Sequence, residues 1–320
     1  MARYSVVIPC YKSSLTVGTV VETTVEEFRN LGIDDFEFVL VNDCSPDEGK
    51  TREAIFRLAE KYPFVKAIDL GKNGGQHNAT MAGLHYATGD FIISMDDDMQ
   101  TRPSEIIKLK SKMDEGYDIV YGYYEQKKES LFRRMGSTLN HLTVCFLLQK
   151  PKWLKTSSFW IIRKYVRDYA IQYAFPQVHL QGVFLRVTGN IACVPINHFD
   201  REVGKSGYTL KKLIWQYFNI IGFSVRPLAM IRNLGVILAS LSFVAGLVVL
   251  IHKLIHPETA VGWSSMTCLI CFFAGVLLLA MGVIGNYLGK LYSGATRTPQ
   301  YVVREVRNVP ESENKEGQLS

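Results

Sequence analysis

Four short runs of β-branched and aromatic residues punctuate the first hundred positions, and each ends in something a buried strand cannot continue. Tyr4–Pro9 stops at a proline, Phe36–Asn42 runs into Asp43-Cys44-Ser45-Pro46-Asp47, and Val65–Leu70 gives way to Gly71-Lys72-Asn73-Gly74-Gly75-Gln76-His77. The fourth, Phe91–Met95, ends in three carboxylates, Asp96, Asp97 and Asp98, with Gln100 just beyond. Helix-like segments over Thr16–Leu31, Glu53–Tyr62 and from the glycines through Ala87 separate the runs. Strands alternating with helices of this length predict an α/β fold built on a mostly parallel sheet. Ligands of such sheets bind beyond the carboxyl ends of the strands. Pro9-Cys10-Tyr11, Asn42-Asp43 and the three aspartates are therefore expected to converge on one crevice.

Negative charge of that density at the mouth of a buried strand is costly unless a cation neutralises it. Residues i and i+2 of an extended chain point the same way, so Asp96 and Asp98 are expected to approach one ion together. Ligands that are all oxygen suit Mg²⁺ or Mn²⁺, ions that accompany phosphates. Taken alone, a D-x-D is as often a solvated acidic turn. Asp43 suits the imide N–H or ribose hydroxyl of a nucleotide, because a carboxylate accepts two donors. It equally suits an N-cap or Asx-turn. His77 and His85 fall on the helix after the glycines and read as packed histidines rather than metal ligands.

The chain has 320 residues, 48% of them hydrophobic, and a formal net charge of +6. Its basic residues gather near two long uncharged stretches late in the sequence, which points to anionic lipid headgroups or phosphorylated ligands. No basic face interleaved with aromatics is present, so no nucleic acid is expected. Six cysteines are scattered through apolar segments. Cys268 and Cys271 have C-x-x-C spacing but no polar company, and read as small buried hydrophobes. The opening residues enter a strand at once rather than a signal peptide, so the main domain is expected in the cytoplasm.

The order V-V-I-P-C-Y, V-N-D-C-S-P-D, K-N-G-G-Q-H-N-A-T-M-A-G and M-D-D-D-M-Q-T-R-P resembles glycosyltransferase family 2. More narrowly it is similar to the polyprenyl-phosphate glycosyltransferases, the group holding dolichol-phosphate mannose synthases, bacterial undecaprenyl-phosphate sugar transferases and bactoprenol glucosyl transferases. The resemblance implies a GT-A domain and inverting transfer of one sugar from a nucleotide sugar, with UDP favoured, to polyprenyl phosphate. It implies Asp96 and Asp98 as metal ligands, with Gln100 beside them and Arg201 completing the catalytic set. It places Pro9, Tyr11, Asp43, Lys72 and Asp97 around the nucleotide. Arg133, Arg201, Lys205 and Ser206 would meet the acceptor phosphate. His198-Phe-Asp-Arg201-Glu-Val-Gly204-Lys205-Ser206-Gly-Tyr208 resembles the family loop that closes over both phosphates. Relatives of this shape often assemble, which implies a homo-oligomer, a tetramer.

Departures from the family pattern are local. The middle alanine of its D-A-D-L-Q is Asp97, and its Asn-Glu after the first strand is Lys12-Ser13. The loop lysine is Gly207, with Lys205 two positions earlier, and a usual aspartate before Thr156-Ser157-Ser158 is Leu154 or Lys155. A processive polysaccharide synthase would carry a T-E-D and a Q-x-x-R-W. No Thr-Glu-Asp occurs, and Gln149–Trp153 has lysine for the arginine. The third reading is a catalytically silent nucleotide-sugar-binding scaffold.

Beyond a catalytic domain over 1–208, residues 209–232 are aromatic and basic and read as interfacial amphipathic helices. Two uncharged stretches within 233–290, about 233–252 and 265–288, are each long enough to span a bilayer core. Lys211, Lys212, Arg226 and Arg232 precede them and Lys290, Arg297 and Arg304 follow, against Lys253 in the connecting loop. The positive-inside rule puts both termini in the cytoplasm, at the inner (plasma) membrane. Residues 291–320 read as a cytoplasmic tail, disordered over Pro310–Ser320.

Overall fold

The computed structural model describes residues 2–124, 144–148, 150–176, 178–197, 199, 262–295 and 299–310, with isolated residues between 228 and 255. Eight strands form one sheet: β1 (Tyr4–Cys10), β2 (Phe36–Asn42), β3 (Val65–Leu70), β4 (Phe91–Ser94), β5 (Ile119–Tyr124), β6 (Trp160–Arg163), β7 (Ile191–Ile196) and β8 (Val303–Arg307). Their spatial order is β7-β5-β6-β4-β1-β2-β3-β8. The central run β4-β1-β2-β3 is parallel, with Tyr4 opposite Phe36 and Phe91, and Phe38 opposite Val65. The expected α/β, mostly parallel architecture is therefore present. Two strands run the other way: β6 pairs antiparallel with β4 and β5, and β8 antiparallel with β3.

Helices α1 (Val17–Asn30), α2 (Lys50–Lys61), α3 (Gln76–Tyr86), α4 (Ile106–Asp114), α5 (Lys164–Ala170) and α6 (Leu180–Val187) cover the sheet. Asp114 finishes α4, and β5 begins at Ile119. Two apolar layers result. One face buries Val20, Val21 and Phe28 of α1 against Val6, Ile8, Phe38 and Leu40. The other buries Met81, Leu84 and Tyr86 of α3 against Val7, Val39, Val41 and Ile68. Alternation along β1 and β2 sends neighbouring residues to opposite layers, so both faces are largely apolar and the strands read as near-continuous hydrophobic runs.

Gly89, just before β4, shows how tightly the sheet's amino edge is closed. A Cβ there would meet Arg3 O, Ser5 N and Ser5 Oγ at 2.8 Å, two of them strand backbone that cannot swing away. Gly89→Ala should lower stability by about 1–3 kcal/mol, the usual cost of overpacking. A chemical-denaturation midpoint equal to wild type would show that the strand moves freely.

The segment expected as a tail differs most from the sequence reading. Residues 299–310 return to the α/β domain, because β8 satisfies the otherwise open edge of β3. Gly71 N–H donates to Val302 O at 2.8 Å, and Asn78 Nδ2 donates to Gln300 O at 3.1 Å. Arg304 Nε reaches the fully buried Asp69 carboxylate at 2.6 Å, and Asp69 also accepts from Asn42 Nδ2 at 2.7 Å. The domain therefore includes residues on both sides of the long apolar helix. That helix, α7 (Trp263–Ala295), runs past the expected end of the second span. Within it Phe272–Gly289 has mean hydropathy 1.8, and none of its described residues is buried. Among the described residues it is the one helix long and apolar enough to cross a membrane. The interfacial helices, 209–232, lie almost wholly outside the described residues, and the expected first span, 233–252, is described only at scattered helical positions.

Candidate active site

The carboxyl ends of β1, β2 and β4 share an unusual backbone signature. Lys12, Cys44 and Met99, each just past one of these strands, have φ of 60°, 46° and 58°. Non-glycine residues enter this left-handed region at a steric cost, and such outliers gather where a site needs a particular turn. β4 itself ends at Ser94, so the three aspartates lie in a bend rather than in extended chain. The strand alternation that would set Asp96 and Asp98 side by side is thus lost. Each acid takes its own direction.

Asp97 turns back towards β1, where its Oδ2 accepts the Tyr11 N–H at 2.9 Å. Asp96 turns the opposite way, its Oδ1 accepting from Gln76 Nε2 at 2.6 Å and its Oδ2 from Ser158 Oγ. Asp98 Oδ1 accepts the Gln100 N–H at 3.1 Å, which closes the turn. Burial is the largest influence on Asp96 and pushes it up to about 6, with the neighbouring charges of Asp98 and Asp97 adding to the rise. Burial likewise raises Asp97, against the stabilising amide of Tyr11. A cation is the direct remedy for acids so placed. Among the described residues no three His, Cys, Asp or Glu side chains form a ready metal cage. Two carboxylates and open positions are what a site shared with a diphosphate needs, since Mg²⁺ is bound through one or two carboxylates plus substrate phosphates.

Asp43 forms the floor on the β2 side. It is 3% exposed, and its two oxygens accept the Gly74 and Gly75 N–H groups at 2.7 and 2.9 Å. Burial raises its pKa and these two amides pull it back. The carboxylate therefore ties the end of β2 to the loop that starts α3, where Gly75 has φ 82°. Of the expected nucleotide residues, Tyr11 stands 48% exposed at the rim and Lys72 is exposed on the loop beside Asp43. Pro9 is buried inside β1 opposite Val41.

Several residues that sequence reading passed over belong to the site. Gln76 and Ser158 hold Asp96 from α3 and from the turn before β6. Tyr124 Oη and Thr101 Oγ1 lie 2.5 Å apart behind the bend. Gln100 O accepts the Phe199 N–H at 3.0 Å, and the Arg102 guanidinium lies 4.1 Å from the Phe199 ring centre. The beginning of the His198–Tyr208 loop is thereby pinned to the acidic bend. Arg133, Arg201, Lys205 and Ser206 lie outside the described residues. Gln76 lies within the K-N-G-G-Q-H run that resembles the family, but nothing in the sequence gives it or Ser158 a contact with Asp96, which arises from sheet order.

Similar solved structures include glucosyl-3-phosphoglycerate synthase from Mycobacterium tuberculosis in complex with Mn²⁺, UDP and phosphoglyceric acid. It is 14% identical, with 69% of this chain and 77% of that one covered and a TM-score of 0.49. The same synthase with Mn²⁺ and UDP-glucose is 13% identical over 69% and 77%, with a TM-score of 0.49. These likenesses carry no functional weight at such identity and score. The family model described as Glycosyl transferase family 2 matches residues 5–169, from β1 through nearly all of α5 and including every described residue of the crevice apart from those that follow it. That match spans just over half of the chain, which therefore belongs to glycosyl transferase family 2.

Proposed function

We propose that this family 2 glycosyl transferase moves one sugar from a nucleotide sugar, a UDP-sugar, to a polyprenyl phosphate in the membrane, with inversion at the anomeric carbon. The exposed Tyr11 ring suits stacking on a base, and Lys72 suits the charge of the nucleotide. Asp96 and Asp98 would hold Mg²⁺ or Mn²⁺. Bound there, the ion neutralises the diphosphate and stabilises it as the leaving group.

A phosphate monoester has a second pKa near ~6 and is largely dianionic at neutral pH, so it attacks without a general base. A bond forms between an acceptor phosphate oxygen and the anomeric carbon. The bond from that carbon to the diphosphate oxygen breaks, its electron pair leaves with the diphosphate, and no proton moves. What the chain must supply is position and partial charge cancellation. Arg133, Arg201, Lys205 and Ser206 are the proposed source on the acceptor side, with Gln100 supporting the acidic bend.

One observation carries the lipid acceptor. The α7 helix ends at Ala295, and β8 begins at Val303 opposite Leu70, the last residue of β3. That is the carboxyl edge of the sheet, the same edge as Asp43 and the acidic bend. The six steps along the chain from Ala295 to Tyr301 span at most about 21 Å at roughly 3.5 Å each. An apolar helix with no buried residue among those described in Phe272–Gly289 is thus tethered beside the crevice, which would bring the site to the bilayer that holds a long-chain phosphate. We place the protein in the inner membrane with two spans, its catalytic domain and termini in the cytoplasm, as a homo-oligomer.

The test is a donor screen: membranes containing the protein, a panel of labelled nucleotide sugars, and organic extraction. One sugar per lipid phosphate is the expected product. A polymer would instead indicate a processive synthase, and no labelled product from any donor would indicate a scaffold.

A further inference from the structure

We propose that Lys150, with the paired rings of His77 and His179, forms an anion subsite beside Asp96 that takes the phosphate monoester of the acceptor. This deepens, and rests on, the phosphate-acceptor reading above. Lys150 is 7% exposed, and its ammonium lies 3.5 Å from Thr156 Oγ1. Among the described residues no carboxylate pairs with it. A buried ammonium held by one distant hydroxyl is an unfavourable arrangement that an anion would relieve. Burial accordingly holds the Lys150 pKa below the ordinary lysine value.

Two routes connect this lysine to the acidic bend. Along the first, Thr156 donates to Gln181 Oε1 at 3.0 Å, and two residues later Ser158 donates to Asp96. Along the second, Gln76 donates to Asp96, and the ring of the next residue, His77, lies 5.1 Å from that of His179. His179 caps α6 by accepting the Gly182 N–H at 3.3 Å, and the charge of Lys150 acts on its ring. Burial pushes His77 and His179 down to about 4 and about 3, so both rings are neutral at physiological pH. They can therefore face an anion as hydrogen-bonding groups and leave the charge to Lys150.

Sheet order assigns the subsite its occupant. β6 lies on one side of β4, while β1 and β2, which carry Tyr11 and Asp43, lie on the other. In an in-line displacement the nucleophile stands opposite the leaving diphosphate. An anion receptor on the β6 side of Asp96 is therefore on the acceptor side.

The experiment compares full-length wild type with Lys150→Met and Lys150→Arg in nanodiscs. It reads KM for undecaprenyl phosphate and for the donor, and titrates inorganic phosphate and a short isoprenyl phosphate by calorimetry. Loss of one charge-assisted contact should raise the lipid KM about tenfold or more in Lys150→Met, leave the donor KM within about twofold, and be largely recovered in Lys150→Arg. Binding of both phosphates should weaken in parallel, and weakening for the isoprenyl phosphate alone would mark the lipid as the true source. A lipid KM within about twofold of wild type in Lys150→Met overturns the subsite while leaving the transfer reading intact. If wild type makes no glycolipid, the acceptor reading fails and the calorimetry decides: phosphate binding lost in Lys150→Met supports the subsite, and unchanged binding overturns it. Should Lys150→Met unfold, Lys150→Gln is read in the same way.

Discussion

Asp98→Asn should lower sugar transfer by about a thousandfold or more while leaving the thermal midpoint essentially unchanged. The reason lies in what the substitution keeps. Asp98 Oδ1 accepts the Gln100 N–H that closes the bend, and an amide oxygen can accept the same bond. The left-handed Met99 that follows is untouched. Lost is one of the two charges proposed to hold the divalent ion against a diphosphate, together with its repulsion of Asp96 and Asp97. Steady-state turnover beside a melting curve gives the answer. Retained turnover in a folded variant would remove Asp98 from the ion.

The second large effect concerns stability. Glu37, 1% exposed on β2, gathers five contacts at the amino edge of the sheet. Its Oε1 accepts from Ser5 Oγ at 2.6 Å, Thr88 N at 2.6 Å and Thr88 Oγ1 at 2.9 Å. Its Oε2 meets Lys66 Nζ at 3.0 Å and Arg3 at 3.1 Å. Removing one partner of a buried ion pair typically costs about 3–5 kcal/mol, because the other charge stays behind. Glu37→Ala should fall in that range, since Lys66 is itself buried.

The pH dependence has a definite sign. Burial alone would raise the Glu37 pKa, but Ser5, Lys66 and Thr88 outweigh it and the folded value lies below the usual 4.5. Its contribution is complete above the unfolded value and fades as pH falls through the folded one. Wild type should therefore lose part of its stability in acid below pH 4.5, and Glu37→Gln should lack that part of the acid limb. Denaturant midpoints between pH 3 and pH 7 on both proteins measure the difference, for which parallel curves would be the contrary result.

The four central strands were legible because a parallel strand buried on both faces is a mostly apolar run, broken here by few polar residues such as Glu37, Lys66 and Asp69. β8 was not. Val303–Arg307 reads Val-Arg-Glu-Val-Arg, neither an apolar run nor a strict alternation, and its place is set by the open edge of β3 more than two hundred residues earlier. β6 is four residues long and earns its position only from its neighbours. In the site, the three aspartates stood out as a cluster, yet their individual directions depended on where β4 stops and on Met99. The reading of Asp96 and Asp98 as one aligned pair assumed extended chain through Asp98, four residues beyond the end of β4 at Ser94. Asp43 shows the converse: its sequence alternatives were a nucleotide contact and a local cap or turn, whereas its oxygens reach Gly74 and Gly75 across about thirty residues.

Manganese binding, followed by electron paramagnetic resonance with and without UDP, tests the central claim most directly. The expected result is a Mn²⁺ signal that changes to a bound form when UDP is added to wild type, and fails to do so in Asp98→Asn. Identical UDP-dependent binding in both proteins would contradict the claim that this acidic bend holds the ion.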